Sequence, residues 1–442
     1  MNLLLILLGK LLSAFSRLLN LGSGSTWPGH IALSINPNFI KQILKHNPKL
    51  KIILIAGTNG KTTTAKLIRT ILKKNNYRVF QNEGGANLLN GIASSMLLHS
   101  NVLCTLNYDY TIFEIDENTL PLILKEIADP NFIILLNLFR DQLDRYGEIN
   151  TIASKWREAL KKLNSATTLI LNADDPQITY LGLHLKGATV KYFGINPANG
   201  INKAQHASDS TYCPNCGRKL AYDSAYFSHL GNWHCDNCGL KHPQKTFTSS
   251  PIYPLFGDYN KYNTNAAVLL AKEIGFSNEK IISSLKDFKP AFGRQEILNV
   301  YGKKIQIFLS KNPTSLNESL KTIVRLNAKN LLLVLNDRIP DGRDVSWIWD
   351  ADTEEYISKF KNILISGDRA FDMALRLKYS SKAQNSNVKS QNYSSKFKII
   401  ENLEEAVFDA LIATLKDEIL YILPTYSAML DVRKILTGKK IL

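Results

Sequence analysis

A chain of 442 residues is longer than one ordinary core organises, so two or three domains are expected. Hydrophobic content of 45% and charged content of 21% are globular values and exclude a disordered chain. The net charge of +16 predicts an anionic partner, whether nucleic acid, a membrane surface or a phosphorylated substrate. Four of the five cysteines form two Cys-x-x-Cys pairs, which excludes a secreted disulfide framework and points to a reducing compartment.

The first segment, residues 1–48, is expected to be helical. Leu3 to Leu8 is purely apolar, but Lys10 and Arg17 interrupt the residues after it, and a spanning helix needs about 20 mostly apolar residues. No positive region precedes the apolar run, as a signal peptide requires. Leu4, Leu8, Leu11, Leu12, Phe15, Leu18 and Leu19 keep helical spacing. Two readings stand: an amphipathic helix lying on a bilayer, or a helix packed on its own domain. The basic charge favours the first slightly, so the expected location is cytoplasmic, with peripheral membrane contact left open.

Ile52 to Ile55 reads as a buried strand and Ala65 to Leu72 as a helix. Between them lies Gly57-Thr-Asn-Gly-Lys-Thr-Thr63. A strand, a Gly-rich turn and a helix N-terminus together cradle phosphate, because backbone N–H groups and the helix dipole face the anion. Lys61 would reach the terminal phosphates and the Thr62 hydroxyl would hold Mg²⁺. The general pattern wants a first glycine at position 55, where Ile55 stands, so this is a shorter form of the loop. A plain turn is the alternative, and its placement between strand and helix argues against it.

Residues 51–200 alternate apolar strands with amphipathic helices, with strands at Ile52–Ile55, Tyr110–Ile115, Phe132–Leu136 and Thr168–Leu171. Such alternation implies a parallel sheet covered on both faces, with ligands at the carboxyl ends of its strands. Residues 205–245 change character and look like an inserted module. There Cys213-Pro-Asn-Cys216 and Cys235-Asp-Asn-Cys238, each followed by glycine, have the spacing of a four-thiolate zinc ribbon. Four cysteines leave no open position, so the metal would be structural. His229, His234 and His242 are expected to be spectators. Cys104 is expected to be buried and inert. Asn263 to Ala271 reads as a helix. A second α/β pattern begins near residue 295, with strands at Ile305–Leu309, Leu331–Leu335, Ile363–Ile365 and Ile419–Ile422. Ser380 to Lys396 is polar and reads as a surface loop.

Gly57 to Thr62 is similar to the ATP loop of the Mur ligases and folylpolyglutamate synthetases. Further segments narrow the resemblance to the MurT-type subunits of lipid II isoglutaminyl synthases. They are Phe113-Glu-Ile-Asp-Glu117, Asn137 to Glu148, Phe292-Gly-Arg-Gln-Glu296, Asn336-Asp337 with Asp341 to Asp350, and Asp372 to Tyr379. The resemblance implies a Mur-ligase-like central domain, residues 49–294, carrying the ribbon at 205–245, and a C-terminal α/β domain, residues 295–442. It implies that ATP activates the α-carboxylate of D-glutamate in the lipid II peptide stem as an acyl phosphate, and that ammonia converts it to D-isoglutamine. A GatD-type glutaminase, of the class I glutamine amidotransferases, would supply the ammonia, since no Gly-x-Cys-x-Gly nucleophile turn occurs in this chain.

The same resemblance assigns roles. Glu114 would complete the Mg²⁺ shell with Thr62, with Glu117 as alternate, and Asn260, Asn263 and Arg294 would lie on the nucleotide. For Asn263 a helix N-cap is the alternative. Asp141, Asp144 and Arg145 come after a buried strand at the same sheet edge, but Gln142 and Tyr146 replace positions where ordinary Mur ligases differ, so no role transfers there. Asp350 would complete the partner's Cys-His-Asp relay, with Asp344 and Asp352 as fallbacks; capping or pairing with Arg343 is the structural alternative. Trp347 and Trp349 are read as core or as a subunit contact, and Lys311 and Asn312 as residues that can face substrate. The rivals are an amino-acid-adding Mur ligase, a folylpolyglutamate-synthetase-like amide ligase, or a zinc-ribbon nucleic-acid-binding ATPase. The absence of a dense Lys/Arg stripe speaks against the last, so no nucleic-acid partner is expected.

Overall fold

The computed structural model describes residues 1–18, 26–82, 85–141, 149–164, 166–183, 185, 187–196, 208–383 and 397–438. Three helices open the chain: α1 (Asn2–Leu18), α2 (Trp27–Ile35) and α3 (Phe39–Lys45). Then come β1 (Lys51–Ala56), α4 (Lys61–Lys74), β2 (Val79–Gln81), α5 (Leu89–His99), β3 (Tyr110–Ile115), α6 (Leu120–Glu126) and β4 (Phe132–Leu135). After these lie α7 (Ile149–Leu160), β5 (Thr168–Asn172), α8 (Pro176–Gly182) and β6 (Thr189–Phe193). The six strands form one parallel sheet in the order β2-β3-β1-β4-β5-β6.

The order reverses at β1, which pairs with β3 on one side and β4 on the other. Loops leave such a switch point in opposite directions and open a crevice at the carboxyl ends of the strands. β1 itself shows why the sheet forms. Ile52, Leu54 and Ala56 pack into a core shared with α1, α3, α5, α6 and α7, while Ile53 and Ile55 pack into the core on the opposite face. That second face is covered by α4 together with α9 (Asp258–Ile274) and α10 (Asn278–Leu285).

The insert is an antiparallel hairpin, β7 (Ala221–Phe227) with β8 (Leu230–His234). A second sheet then begins with β9 (Arg294–Val300), β10 (Lys303–Phe308), α11 (Pro313–Arg325), β11 (Asn330–Val334), β12 (Asn362–Ser366) and α12 (Ala370–Ala383). It closes with β13 (Phe397–Ile399), α13 (Leu403–Ala413), β14 (Ile419–Pro424) and α14 (Tyr426–Thr437). The strand order is β13-β12-β11-β14-β10-β9, parallel except for the β9–β10 pair. The boundary expected after residue 294 falls one residue into β9, so Arg294 stands at the start of the second sheet.

Three expectations need correction. Ser380 is not loop: it lies in α12, is buried, and donates its hydroxyl to the Arg376 carbonyl, while 384–396 of the expected loop lie outside the described residues. Cys104 is half-buried rather than core, in a left-handed turn (φ 61°) closed by its N–H on the Asn101 carbonyl. Asn263 sits inside α9, whose N-cap is Gly257, so the capping alternative fails.

Candidate active site

The phosphate loop is held before any ligand arrives. Thr58 N–H donates to the Asn137 carbonyl (3.0 Å), Asn59 N–H to Asn137 Oδ1 (2.9 Å), and Phe139 N–H to Thr58 Oγ1 (3.0 Å). The segment after β4 therefore sets the loop's shape. Gly60 caps α4 with φ 95°, and a Cβ there would lie 2.1 Å from Asn263 Oδ1. Glycine is required both by the left-handed backbone and by this close approach of α9. Asn263 Nδ2 in turn donates to Asn260 Oδ1 (3.1 Å), so both expected asparagines stand together beside the loop.

Two carboxylates from β3 and the turn after it face the loop. Lys61 Nζ lies 3.1 Å from Glu117 Oε1 and also donates to the Gly57 carbonyl. Thr62 Oγ1 donates to Glu114 Oε2 (2.7 Å). Glu114 is buried and its other oxygen, Oε1, is without a hydrogen-bond partner. Burial pushes its carboxyl above the usual range, against the opposing pull of Thr62, Arg294 and Lys61. A hydroxyl and an orphaned buried carboxylate oxygen are hard-oxygen ligands suited to Mg²⁺, so these residues fit the ion that the sequence implies.

The second domain closes over the loop. Arg294, Gln295, Lys311, Ser315, Glu318 and Tyr426 line, with the phosphate loop, Glu114 and Glu117, a cavity of about 620 Å³. Lys311 pairs with Asp141 across the domains, and Asn312 Nδ2 reaches Asn59 Oδ1 (3.2 Å). Burial works against the Lys311 charge, but Asp141 and Glu117 more than offset it and raise its pKa. Arg294 is lowered by burial, with Glu114 opposing. Asp144, Arg145, Gln142 and Tyr146 lie outside the described residues.

Sequence reasoning missed Glu318, Gln295 and Tyr259. Leu316, Leu320 and Ile323 turn one stripe of α11 into the core, while Ser315, Glu318 and Ser319 face the cavity. A second, polar stripe at helical spacing was the available signal for Glu318. Gln295 had none: it adopts φ 62° and donates to the Phe256 carbonyl and the Tyr259 hydroxyl (both 2.7 Å).

The four expected cysteines converge. Their Sγ atoms all lie within 4.8 Å of one another, with Cys213–Cys238 and Cys216–Cys235 each at 3.5 Å. Gly217 (φ 72°) and Gly239 (φ 71°) close two matching knuckles. A tetrahedral Zn–S₄ site with bonds of about 2.3 Å sets sulfurs about 3.8 Å apart, so the set fits zinc. His229 and His242 pair instead with Asp175 (3.3 Å) and Asp174 (2.7 Å). The hairpin turn beyond the knuckles packs on the first sheet: Phe227 and Leu230 are buried in its core and line the cavity, and Phe227 stacks on Phe139.

Asp350 lies away from the cavity, on the short 3-10 turn Ser346–Asp350, partly exposed, with Oδ2 3.3 Å from Arg140 Nη1. Asp344 caps Ser346 N–H (2.8 Å), and Asp352 accepts from Asn317 Nδ2 (3.0 Å). Trp347 packs on the second domain's core, whereas Trp349 is 45% exposed.

With this geometry in view, residues 55–271 match the family model of the Mur ligase middle domain, and residues 309–429 match that of the MurT ligase C-terminal domain. The chain is 34% identical to the MurT subunit of the glutamine-hydrolysing lipid II isoglutaminyl synthase of Staphylococcus aureus strain COL, over 80% of this chain and 83% of that one. It is 31% identical to the Streptococcus pneumoniae R6 subunit of the same description, over 95% and 94%. The chain belongs to the MurT family. Its fold is that of Mur ligases more widely. A pseudomurein peptide ligase type C from Methanothermus fervidus superposes with a TM-score of 0.62 at 24% identity, covering 90% of this chain and 81% of that one. MurF from Thermotoga maritima in complex with ADP gives 0.61 at 15%, covering 91% and 82%. A phosphate loop at the switch point of the first sheet, facing residues of a second sheet, is therefore a Mur ligase arrangement carrying a MurT-type C-terminal domain.

Proposed function

We propose that this chain is the synthetase subunit of a lipid II isoglutaminyl synthase. It uses ATP to activate the α-carboxylate of D-glutamate in the lipid II stem as an acyl phosphate, and ammonia then displaces phosphate to leave the amide of D-isoglutamine. The observation that carries this reading is the cavity in which the phosphate loop, Glu114 and Glu117 meet Arg294 and Lys311 of the MurT-type domain. Gly57, Thr58, Asn59, Gly60, Lys61, Thr62 and Thr63 hold the nucleotide phosphates, with Asn260 and Asn263 beside them. Thr62 and Glu114 hold Mg²⁺, which would neutralise charge on the phosphates. Lys61 and Arg294 offset the charge that develops on the transferring phosphoryl group, and a half-buried guanidinium fork suits that role. Cys213, Cys216, Cys235 and Cys238 hold a structural zinc.

Free ammonia is mostly protonated at neutral pH and is then no nucleophile, so it must be delivered. A glutaminase subunit delivers it here, and Asp350 orients that partner's catalytic histidine. Its carboxylate is partly exposed and pairs through Oδ2 with Arg140 (3.3 Å), while Asp344 accepts from Ser346 N–H and Asp352 from Asn317. The test is mass spectrometry of lipid II after incubation with ATP, Mg²⁺ and ammonium, then with glutamine and the glutaminase. A stem lighter by about one dalton, lost in Lys61→Ala, is expected from the exchange of hydroxyl for amine. ADP release that requires an added amino acid, with no amidation from either nitrogen source, would move the chain to the amino-acid-adding ligases.

A further inference from the structure

The first helix is built the wrong way round for a helix that serves only its own domain. Its inward face is Leu5, Ile6, Gly9 and Ser13, all buried. Gly9 lets α1 approach closely, since a Cβ there would stand 2.6 Å from Leu97 and 3.2 Å from Pro28. The outward face is the more apolar of the two. Leu3, Leu4, Leu7, Leu8, Leu11 and Phe15 are all exposed, Leu4 by 69%, Leu11 by 62% and Phe15 by 59%. At 100° per residue these side chains span an arc of about 140°.

Charge and position complete the picture. Residues 1–82 contain no Asp or Glu but twelve Lys and Arg, the first acid being Glu83. Asn2, at the start of α1, is tied to Gln42 of α3 (2.7 Å) and to Asn36 (2.8 Å), and α3 carries the exposed Lys41, paired with Glu126 (3.6 Å), and the exposed Lys45. Trp27, 68% exposed, stands at the start of α2 and lines the mouth of the catalytic cavity. No helix among the described residues is long and apolar enough to cross a membrane.

We propose that α1 lies on an anionic lipid bilayer with its leucine face in the acyl boundary, and that Trp27 sits at the headgroup level beside it. An apolar arc on a segment rich in Lys and Arg and without Asp or Glu suits an interfacial helix, and tryptophan favours the interface. A second copy of this chain is the competing occupant. A coiled-coil seam, however, is a narrower two-residue stripe flanked by charges of both signs, and this segment has no acid to offer. The inference stands on the helix and its charge, and it goes beyond the amidation reading without resting on it.

The test uses the full chain with vesicles of phosphatidylglycerol and phosphatidylcholine, or of phosphatidylcholine alone, read by co-sedimentation and by Trp emission. Binding to the anionic vesicles, a blue shift absent in Trp27→Phe, and at least a tenfold loss of binding in Leu8→Asp/Leu11→Asp are expected. Both positions are exposed, so the double variant keeps its fold, which circular dichroism and ADP binding check. No vesicle binding, or equal binding by the double variant, would overturn the proposal. So would a dimer in analytical ultracentrifugation that the same double variant dissolves, since a second copy would then cover the face. Amidation of detergent-dispersed lipid II is unchanged in the double variant, so failure of the membrane reading and failure of the ligase reading are distinguishable.

Discussion

Glu318→Gln tests whether the cavity stores a buried acid. Glu318 is 3% exposed, its Oε2 has no partner, and Lys321 Nζ stands 3.4 Å from Oε1. Burial pushes its carboxyl up to about 7, Lys321 opposing and Asp258 adding to the rise. A pKa raised by the fold means that the folded state prefers the protonated form. The stabilisation is complete below the unfolded value of 4.5 and is lost as pH rises through about 7. A shift of about 2.5 units at about 1.4 kcal/mol each is about 3 kcal/mol in full, of which about 2–3 kcal/mol is lost between pH 5 and pH 8. Glutamine is neutral throughout. The stability of Glu318→Gln relative to the parent should therefore grow by that amount between pH 5 and pH 8. The Lys321 attraction acts on the ionised form and is already contained in the value of about 7. Urea unfolding of both proteins at pH 5, 6, 7 and 8 measures it. A difference that stays constant with pH would refute the reasoning, because it would place the Glu318 carboxyl in the ordinary range.

Three further outcomes rest on the geometry. Gly60→Ala places a Cβ against Asn263 and forces alanine to φ 95°, so nucleotide affinity by calorimetry should fall about tenfold or more, and an unchanged affinity would refute the close approach. Asp350→Asn should leave ammonium-driven amidation intact and cut glutamine-driven amidation by about 10²–10⁴-fold, the scale for loss of the carboxylate in a catalytic relay. Zinc analysis should find one ion per chain; its removal by a chelator, or Cys235→Ser, should lower the melting temperature by roughly 5–10 °C and weaken nucleotide binding, because the hairpin turn carrying Phe227 and Leu230 walls the cavity.

What could be read in the sequence is what local chemistry decides. β1, β3, β4 and β5 lie inside a parallel sheet, buried on both faces, and so read as unbroken apolar runs. The edge strands β6, β9 and β13 mix charged and apolar residues and are half-exposed, which leaves them no such signal. The Gly-rich turn after β1 and the two cysteine knuckles are legible for the same reason: each is a short run whose turn residues and spacing are contiguous. The rest of the site depends on closure of the second domain. Lys311 and Asp141 are 170 residues apart and carry no mark of each other in the sequence, yet their pair fixes one wall of the cavity. The N-terminal helix shows the limit from the other side. Its leucine periodicity is plain, but periodicity states only that one face is apolar. That the face points outward is due to Gly9 and Ser13, whose small side chains let the opposite face dock on α2 and α5. Two small residues, Gly9 and Ser13, beside Leu5 and Ile6 on the face opposite the leucine stripe thus let that face dock closely and leave the wider leucine face outward, and the sequence carries them.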